Sequence, residues 1–426
     1  MKRTAILLGS LAIRVFVHGQ SDTVTLESCY QQAEKTFPVA RQLELLGKSN
    51  DLRIKNLNKN YLPQFNVNGS ASLQSDVTEI SLNLPANFPA INFPKISKDQ
   101  YKVTLDVSQS IYDGNSTANQ KKLEAFNLQS DQESVRIELY KLKDRINQVY
   151  FNIFLCQKNE ELLEASKTQL ESKLKEVESA VLNGTMLSSN ADAIKAELLK
   201  IDQQLIETKT DRITAFKILS ELTSNTIPET SRLALPRIQI SSPAFEDKRI
   251  ELQLYDVQQS RLGILKNMVT TRWNPRIYAF GQAGYGRPGF NFLSNDFSPL
   301  WIFGAKLSWN LWNWNQNKNE KKIYDIQGDI IRSQKETFDK NLRIEADKGI
   351  AEIQKLEELL QKDEEIIGLR TKISQTASVQ LDNGVIMSSD YISRMNEETQ
   401  AKLTLELHKI QLVKAKISYL FTLGKL

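Results

Sequence analysis

Asn183-Gly184-Thr185-Met186-Leu187-Ser188-Ser189 returns almost unchanged as Asn383-Gly384-Val385-Ile386-Met387-Ser388-Ser389. A second pair echoes it upstream, where Ser108-Gln109-Ser110-Ile111-Tyr112-Asp113 returns as Ser308-Trp309-Asn310-Leu311-Trp312-Asn313. The repeating unit is domain-sized, far longer than a solenoid period. Each copy holds two alternating stretches and one long helical hairpin, too little to close on itself, so several copies of the chain are expected to share one wall.

The chain has 426 residues, with 55 Lys and Arg against 51 Asp and Glu. Residues 1–20 read as a secretory signal peptide, with basic Lys2 and Arg3, an apolar run from Ala5 to Ile13 and a small-residue exit at Gly19. No later segment approaches the ~18 apolar residues of a spanning helix. Losing Lys2, Arg3 and Arg14 takes the formal charge from +4 to +1, which leaves no electrostatic case for nucleic acid. Cys29 and Cys156 have no metal-knuckle or CxxC spacing and are expected as small apolar helix residues. With His18 in the signal peptide, His408 is the one remaining histidine, so histidine acid/base chemistry and a multi-histidine metal site are excluded. No P-loop, GxSxG or HExxH is present. No enzyme activity, cofactor or metal is expected.

Four stretches alternate with period two, which sends successive side chains to opposite faces of a strand. Phe65, Val67, Gly69, Ala71 and Leu73 oppose Gln64, Asn66, Asn68, Ser70 and Ser72. Tyr101, Val103, Leu105, Val107 and Ile111 oppose Lys102, Thr104, Asp106, Ser108 and Ser110. Ile277, Ala279, Ala283 and Tyr285 form a third set, blurred by Tyr278 and Phe280, and Trp301, Phe303, Ala305, Leu307, Trp309 and Leu311 a fourth. Their length of about 9–11 residues suits tilted transmembrane strands. Tyr61, Tyr101, Tyr112, Trp273, Trp301, Trp309, Trp312 and Trp314 crowd the ends, as in the aromatic girdles of outer-membrane barrels. Four strands cannot close a sheet, and an open edge in lipid leaves unpaired backbone groups. Two chains would supply eight strands around a filled interior, and three would supply twelve and leave room for a duct. A conducting function favours three.

From Ser116 to Leu222 the chain is polar and proline-free, broken only at Asn183-Gly184. Leu142, Ile146, Val149, Ile153 and Cys156, and again Leu170, Leu174, Val177 and Val181, step by four and three, the coiled-coil period. A helix from Ser116 to Val181 reaches on the order of 100 Å at ~1.5 Å per residue. The second unit matches it from Asn315 to Asp382 and back from Ser388, with Leu403, Leu407, Ile410, Ile417 and Leu420 in the returning seam. Gly184 and Gly384, with their asparagines, are expected to supply left-handed turn residues, and Ser188, Ser189, Ser388 and Ser389 to cap the return helices. The apolar centres Met186-Leu187 and Ile386-Met387 are expected to be exposed.

These features resemble the TolC-like outer-membrane efflux proteins. Thr25-Leu26-Glu27-Ser28-Cys29-Tyr30 through Phe37-Pro38 is similar to the family's opening helix, Tyr61-Leu62-Pro63 and Trp273-Asn274-Pro275 to the prolines at the mouths of its strand hairpins, and Gln109-Ser110-Ile111-Tyr112-Asp113-Gly114 to its strand exit, with Ser110 and Asn310 where proline is common. The resemblance covers the whole mature chain. It implies a mainly α fold with membrane β-structure: a homotrimer with a twelve-stranded barrel in outer-membrane lipid and a twelve-helix periplasmic tunnel, docked through its tips on a periplasmic adaptor and an inner-membrane transporter. Asn183 to Ser189 and Asn383 to Ser389 would be the adaptor-docking tips. Asp390, six residues past Gly384, would stand in a carboxylate ring at the periplasmic gate, although the next ring position holds Ser393, followed by Arg394. The chain then divides into the signal peptide, a first repeat over 21–222 (strand hairpin 61–113, helical hairpin 115–222), an equatorial linker over 223–245 broken by Pro228, Pro236 and Pro243, and a second repeat over 246–426 (strand hairpin 273–313, helical hairpin 315–424). The first strand-hairpin loop is longer and holds Leu84-Pro85, Phe88-Pro89 and Phe93-Pro94. The competing readings are a passive porin, which has no use for such long hairpins, and a periplasmic coiled-coil scaffold, which has no use for the aromatic-flanked strands.

Overall fold

The computed structural model describes residues 23–78, 96–240, 248–291 and 294–426. The expected signal peptide, the Leu-Pro and Phe-Pro pairs between 84 and 94, and Pro243 lie outside the described residues.

The chain opens with a short strand β1 (Thr23–Val24) and helix α1 (Leu26–Thr36), whose first turn is capped by the Thr25 hydroxyl accepting from the Ser28 N–H at 3.2 Å. Phe37-Pro38 stops α1, because the residue before proline is driven out of the helical region. Helix α2 (Arg41–Asn58) then leads into strands β2 (Gln64–Leu73) and β3 (Asp99–Tyr112). Helices α3 (Ser116–Leu182) and α4 (Ser188–Thr223) form the first hairpin. Strand β4 (Arg232–Leu233), helix α5 (Ile250–Thr271), strands β5 (Arg276–Arg287) and β6 (Ser298–Ser308), and helices α6 (Gln316–Asp382) and α7 (Ser388–Thr422) complete the chain. Helices α3 and α6 are each 67 residues long, roughly 100 Å at ~1.5 Å per residue.

The strand hairpins do not stand apart. Strand β3 pairs antiparallel with β5, with Val103 opposite Tyr285 and Leu105 opposite Ala283, which fuses them into one sheet of order β2-β3-β5-β6. One face carries exposed Phe65, Val67, Leu105, Phe303 and Leu307. The other carries a hydrogen-bonded line in which Asn68 and Gln282 both donate to Asp106, and Lys102 donates to Gln282 at 3.2 Å. Phe280, two residues from Gln282, lies on this polar face, opposite Gly304 in the register. A Cβ on Gly304 would meet the Phe280 ring at 3.1 Å, so the glycine gives the ring its place across the sheet. The aromatics that blur the third strand are thus part of its polar face.

The fourth strand is shorter than its alternation implies. It ends at Ser308, leaving Trp309 and Leu311 in the joint to α6. There the Trp309 indole N–H donates to the Trp273 carbonyl at 3.1 Å and the Asn310 side chain accepts from the Trp312 N–H at 3.3 Å, bonds that take the place of a ladder.

The main core lies where α1 packs on the middle of α3 and the end of α4. Cys29, Ile146, Tyr150, Ile153, Phe216, Leu219 and Ile417 meet there, so the four-three spacing on α3 marks a buried seam, whereas of the α7 seam only Ile410 and Ile417 are buried and Leu403, Leu407 and Leu420 stay half-buried. The segment between the helical hairpins does more than break helix, because β4 pairs in parallel with β1. The buried Tyr150 hydroxyl lies 2.9 Å from the Val24 carbonyl and 2.6 Å from the Ala234 carbonyl, pinning both strands to α3. Cys29 and Cys156 are free, buried helix residues, and burial pushes the Cys29 thiol up to about 11.

Candidate functional site: the hairpin tips

Both tips are built alike. At the first, the Thr185 N–H donates to the Ala180 carbonyl at 2.9 Å and the Gly184 N–H to the Val181 carbonyl at 3.0 Å. At the second, Val385 donates to Gln380 at 2.8 Å and Gly384 to Leu381 at 2.9 Å. This paired pattern closes a helix on a left-handed residue, a role that Gly184 (φ +71°) and Gly384 (φ +69°) fill without strain. The asparagines do not share that role. Asn183 (φ −81°) and Asn383 (φ −88°) remain on the right-handed side as the last half-turn of each helix.

The serines do not cap the return helices either. Ser188 and Ser388 already lie in the first turns of α4 and α7, and the flanking positions are Leu187 and Met387 in extended conformation. The second start is held from within the helix, where an Asp390 carboxylate oxygen accepts from the Met387 N–H at 3.3 Å. It is also held from the other hairpin: the Asn190 side-chain carbonyl accepts from the Ser388 N–H at 2.8 Å. Ser388 is fully buried.

Of the four apolar tip residues, two face inward. Met186 and Ile386 pack onto a cluster that includes Val177, Ile194, Leu381, Tyr391 and Met395. Leu187 and Met387 are exposed at 68% and 62%, and Val385 and Leu182 join them at the surface. Thr185, Ser189 and Asp390 are also exposed. Asp390 shares a shallow groove with Lys372, Gln380, Ile386 and Arg394, so cations stand beside the acid.

The two hairpins are tied together behind the tips. The buried Lys173 ammonium lies 2.9 Å from Asp382 and 2.6 Å from Glu176, under the Tyr391 ring. The Gln169 amide donates to the Tyr391 hydroxyl at 3.0 Å, and Asn396 donates to Glu197 at 2.8 Å. None of the ties between the hairpins is visible as a sequence motif, because Lys173 with Asp382, Gln169 with Tyr391 and Asn396 with Glu197 each join common residue types about 200 positions apart.

The protomer also leaves apolar seams unfilled. On α6, Ile323, Ile326 and Ile330 step by three and four and are exposed, as are Ile366, Leu369 and Ile373. On α2 and α4, Leu45 and Leu52, and Leu199 and Ile206, stand seven apart and exposed. Near the sheet the helices neighbour one another in the order α2, α3, α5, α6, which sets the α2 seam and the α6 seam on opposite edges. Strands β2 and β6 likewise each keep one unpaired edge among the described residues.

The whole arrangement, a four-stranded sheet continued by long paired helices, has close counterparts among solved structures. The Campylobacter jejuni CmeC outer membrane channel superposes with a TM-score of 0.66 at 14% identity over 94% of this chain and 85% of its own. CusC, solved in a study of transmembrane channel formation, gives 0.69 at 15% identity over 95% and 93%. The Vibrio cholerae outer membrane protein VceC gives 0.67 at 12% identity over 94% and 96%. The chain has the outer-membrane channel fold. No protein-family model and no curated protein matches it by sequence. Among the described residues no group of acids, histidines and cysteines could hold a metal ion, and no helix is long and apolar enough to cross a membrane.

Proposed function

We propose that this protein is the outer-membrane exit duct of an efflux pump or type I secretion system. Three chains join their sheets into a twelve-stranded barrel in lipid and their helices into a periplasmic tunnel, through which substrate passes passively. The tips dock on a periplasmic adaptor coupled to an inner-membrane transporter. The observation that carries the reading is the pairing, in one chain, of a sheet with an exposed apolar face and two edges unpaired among the described residues with roughly 100 Å helices that keep exposed apolar seams. A porin needs no such helices, and a soluble scaffold needs no such sheet.

The docking surface is narrower than the whole turn. It centres on Leu187, Val385 and Met387, flanked by Thr185 and Ser189, while Met186 and Ile386 hold the tip shape from inside. Leu187→Asp with Met387→Asp is expected to abolish export while leaving trimer yield in the outer membrane unchanged, because both side chains lie outside the core. Export by the double variant at the wild-type rate would rule out tip docking.

Asp390 is the candidate entrance acid. Its bond to the Met387 N–H gives it a helix-start role, and three copies around a threefold axis would in addition set negative charge at the narrow end, softened by Arg394 and Lys372. In planar bilayers Asp390→Asn is expected to lower cation over anion selectivity. An unchanged reversal potential would leave Asp390 as a helix-start residue only.

A further inference from the structure

The joint between sheet and helix differs between the two halves of the chain in one consistent way. Where the first half has Gln109, Tyr112, Gly114 and Ala118, the second has Trp309, Trp312, Trp314 and Lys318. Packing within the single chain does not explain the three indoles, since all are exposed there, Trp314 at 81%, and Trp312 and Trp314 meet each other edge to face at 5.9 Å. Backbone preference does not explain Trp314 either. Its φ is +53°, followed by Asn315 at +62°, a left-handed pair that the first half makes with Gly114 and Asn115. At Gly114 a Cβ would meet that of Asn274 at 2.9 Å, so glycine is required there, whereas the second half accepts a large side chain in a conformation it disfavours. Such a residue is kept for what its ring reaches.

The surroundings indicate what that is. Leu311 is exposed between the indoles, and the exposed apolar face of β6, with Phe303 and Leu307, runs straight into them. On the other side α6 begins with Lys318, Lys321 and Lys322, with Lys318 and Lys322 one turn apart and exposed. None of the three lysines has an ion-pair partner among the described residues, and the one acid between Ser308 and Lys322, Glu320, is engaged by Arg272 at 3.1 Å. Indoles prefer the boundary between hydrocarbon and headgroups, and lysines one turn beyond them meet lipid phosphates.

We infer that residues 309–322 form a membrane foot, in which Trp309, Trp312 and Trp314 seat in the interface of the periplasmic leaflet and Lys318 and Lys322 select anionic phospholipid headgroups. The inference rests on the outer-membrane reading above. It adds a preference for particular lipids that neither the sheet nor the tunnel requires.

The test uses the full trimer in proteoliposomes. One variant keeps Trp314 alone (W273F, W301F, W309F, W312F), and another keeps Trp301 alone as a probe of the sheet's apolar band. Emission is read in lipids brominated on the acyl chains near the headgroup, carried on phosphatidylglycerol or on phosphatidylcholine. Trp314 is expected to be quenched by both, with an apparent preference for phosphatidylglycerol of about five- to thirtyfold, the range that one or two lysines near an anionic surface supply at ~1 kcal/mol each. Adding K318Q and K322Q should bring that ratio to about one, and the same pair of changes in the otherwise wild-type protein should lower its phosphatidylglycerol preference if the multiple Trp variants fail to assemble. Trp314 left unquenched while Trp301 is quenched would overturn the foot and leave the membrane reading intact, as would quenching without lipid preference. Loss of quenching at Trp301 as well would overturn the membrane reading itself.

Discussion

Glycines with the same left-handed backbone do different work here. Gly114 (φ +69°) sits where the first strand hairpin meets its helix, with the Asn274 Cβ and the Thr271 and Pro275 carbonyls crowded around it. Gly184 (φ +71°) turns the first tip with nothing within 4 Å of where a Cβ would stand. Alanine at Gly184 meets only the left-handed cost of about 1–2 kcal/mol. At Gly114 it adds overpacking against backbone, typically about 1–3 kcal/mol more. Gly114→Ala is therefore expected to lower the thermal midpoint of the purified protein well beyond Gly184→Ala, and equal midpoints would refute the crowding argument. The Asn-Gly signal was legible in the sequence as a helix stop, but the division of labour within it was not. Asparagine and glycine both tolerate left-handed backbone, and only the bonds from Gly184 to Val181 and from Thr185 to Ala180 settle which one takes it.

At the scale of elements, the hairpins were the most legible part, because four-three apolar steps from Leu142 to Cys156 and from Leu170 to Val181, inside a long proline-free stretch, admit few alternatives. Strand alternation placed three of the four strands well and overran the fourth. Side chains at 309 and 311 keep the period after the backbone has left the ladder, and periodicity reads side chains, not hydrogen bonds. The ties between the hairpins were invisible, since Lys173 with Asp382 and Gln169 with Tyr391 become neighbours only in the folded chain. Burial pushes the Lys173 pKa down, but the hydrogen bonds to Glu176 and Asp382 outweigh it and hold the ammonium above its ordinary value of 10.5. A raised folded-state value means that the tie contributes fully at neutral pH and is lost only as pH rises through that value. Its partners are half-exposed, so it is worth about 1–2 kcal/mol. Lys173→Met is expected to speed amide exchange around Leu381 to Tyr391 roughly tenfold at pH 7. In the wild type the same segment should stay protected until strongly alkaline pH. Unchanged exchange in the variant would mean that the apolar cluster alone holds the tips.

For the whole molecule, the sheet order meets what the proposed shared barrel needs. Strands β2, β3, β5 and β6 alternate in direction, so in the proposed barrel β6 of one copy would meet β2 of the next antiparallel, and a ring of any number of copies would close without an edge. The helices carry the matching instruction. The α6 seam of Ile323, Ile326 and Ile330 occupies the positions that Leu123, Phe126 and Ser130 hold on α3, 200 residues earlier, where α3 meets its neighbours within the chain. A seam that has a partner inside one half and none inside the other is what a head-to-tail ring requires. The facing edge offers Leu45 and Leu52 of α2. Ile326 is 52% exposed in the single chain, so Ile326→Glu removes little from its own core and places a charge in the proposed joint between copies. The variant is expected to keep its helix content by circular dichroism and to lose the trimer, giving single chains by native mass measurement in detergent where the wild type gives three. Leu52→Glu should act alike from the other edge. Trimers in undiminished yield from both variants would place the junction between chains elsewhere than on the α6 and α2 seams.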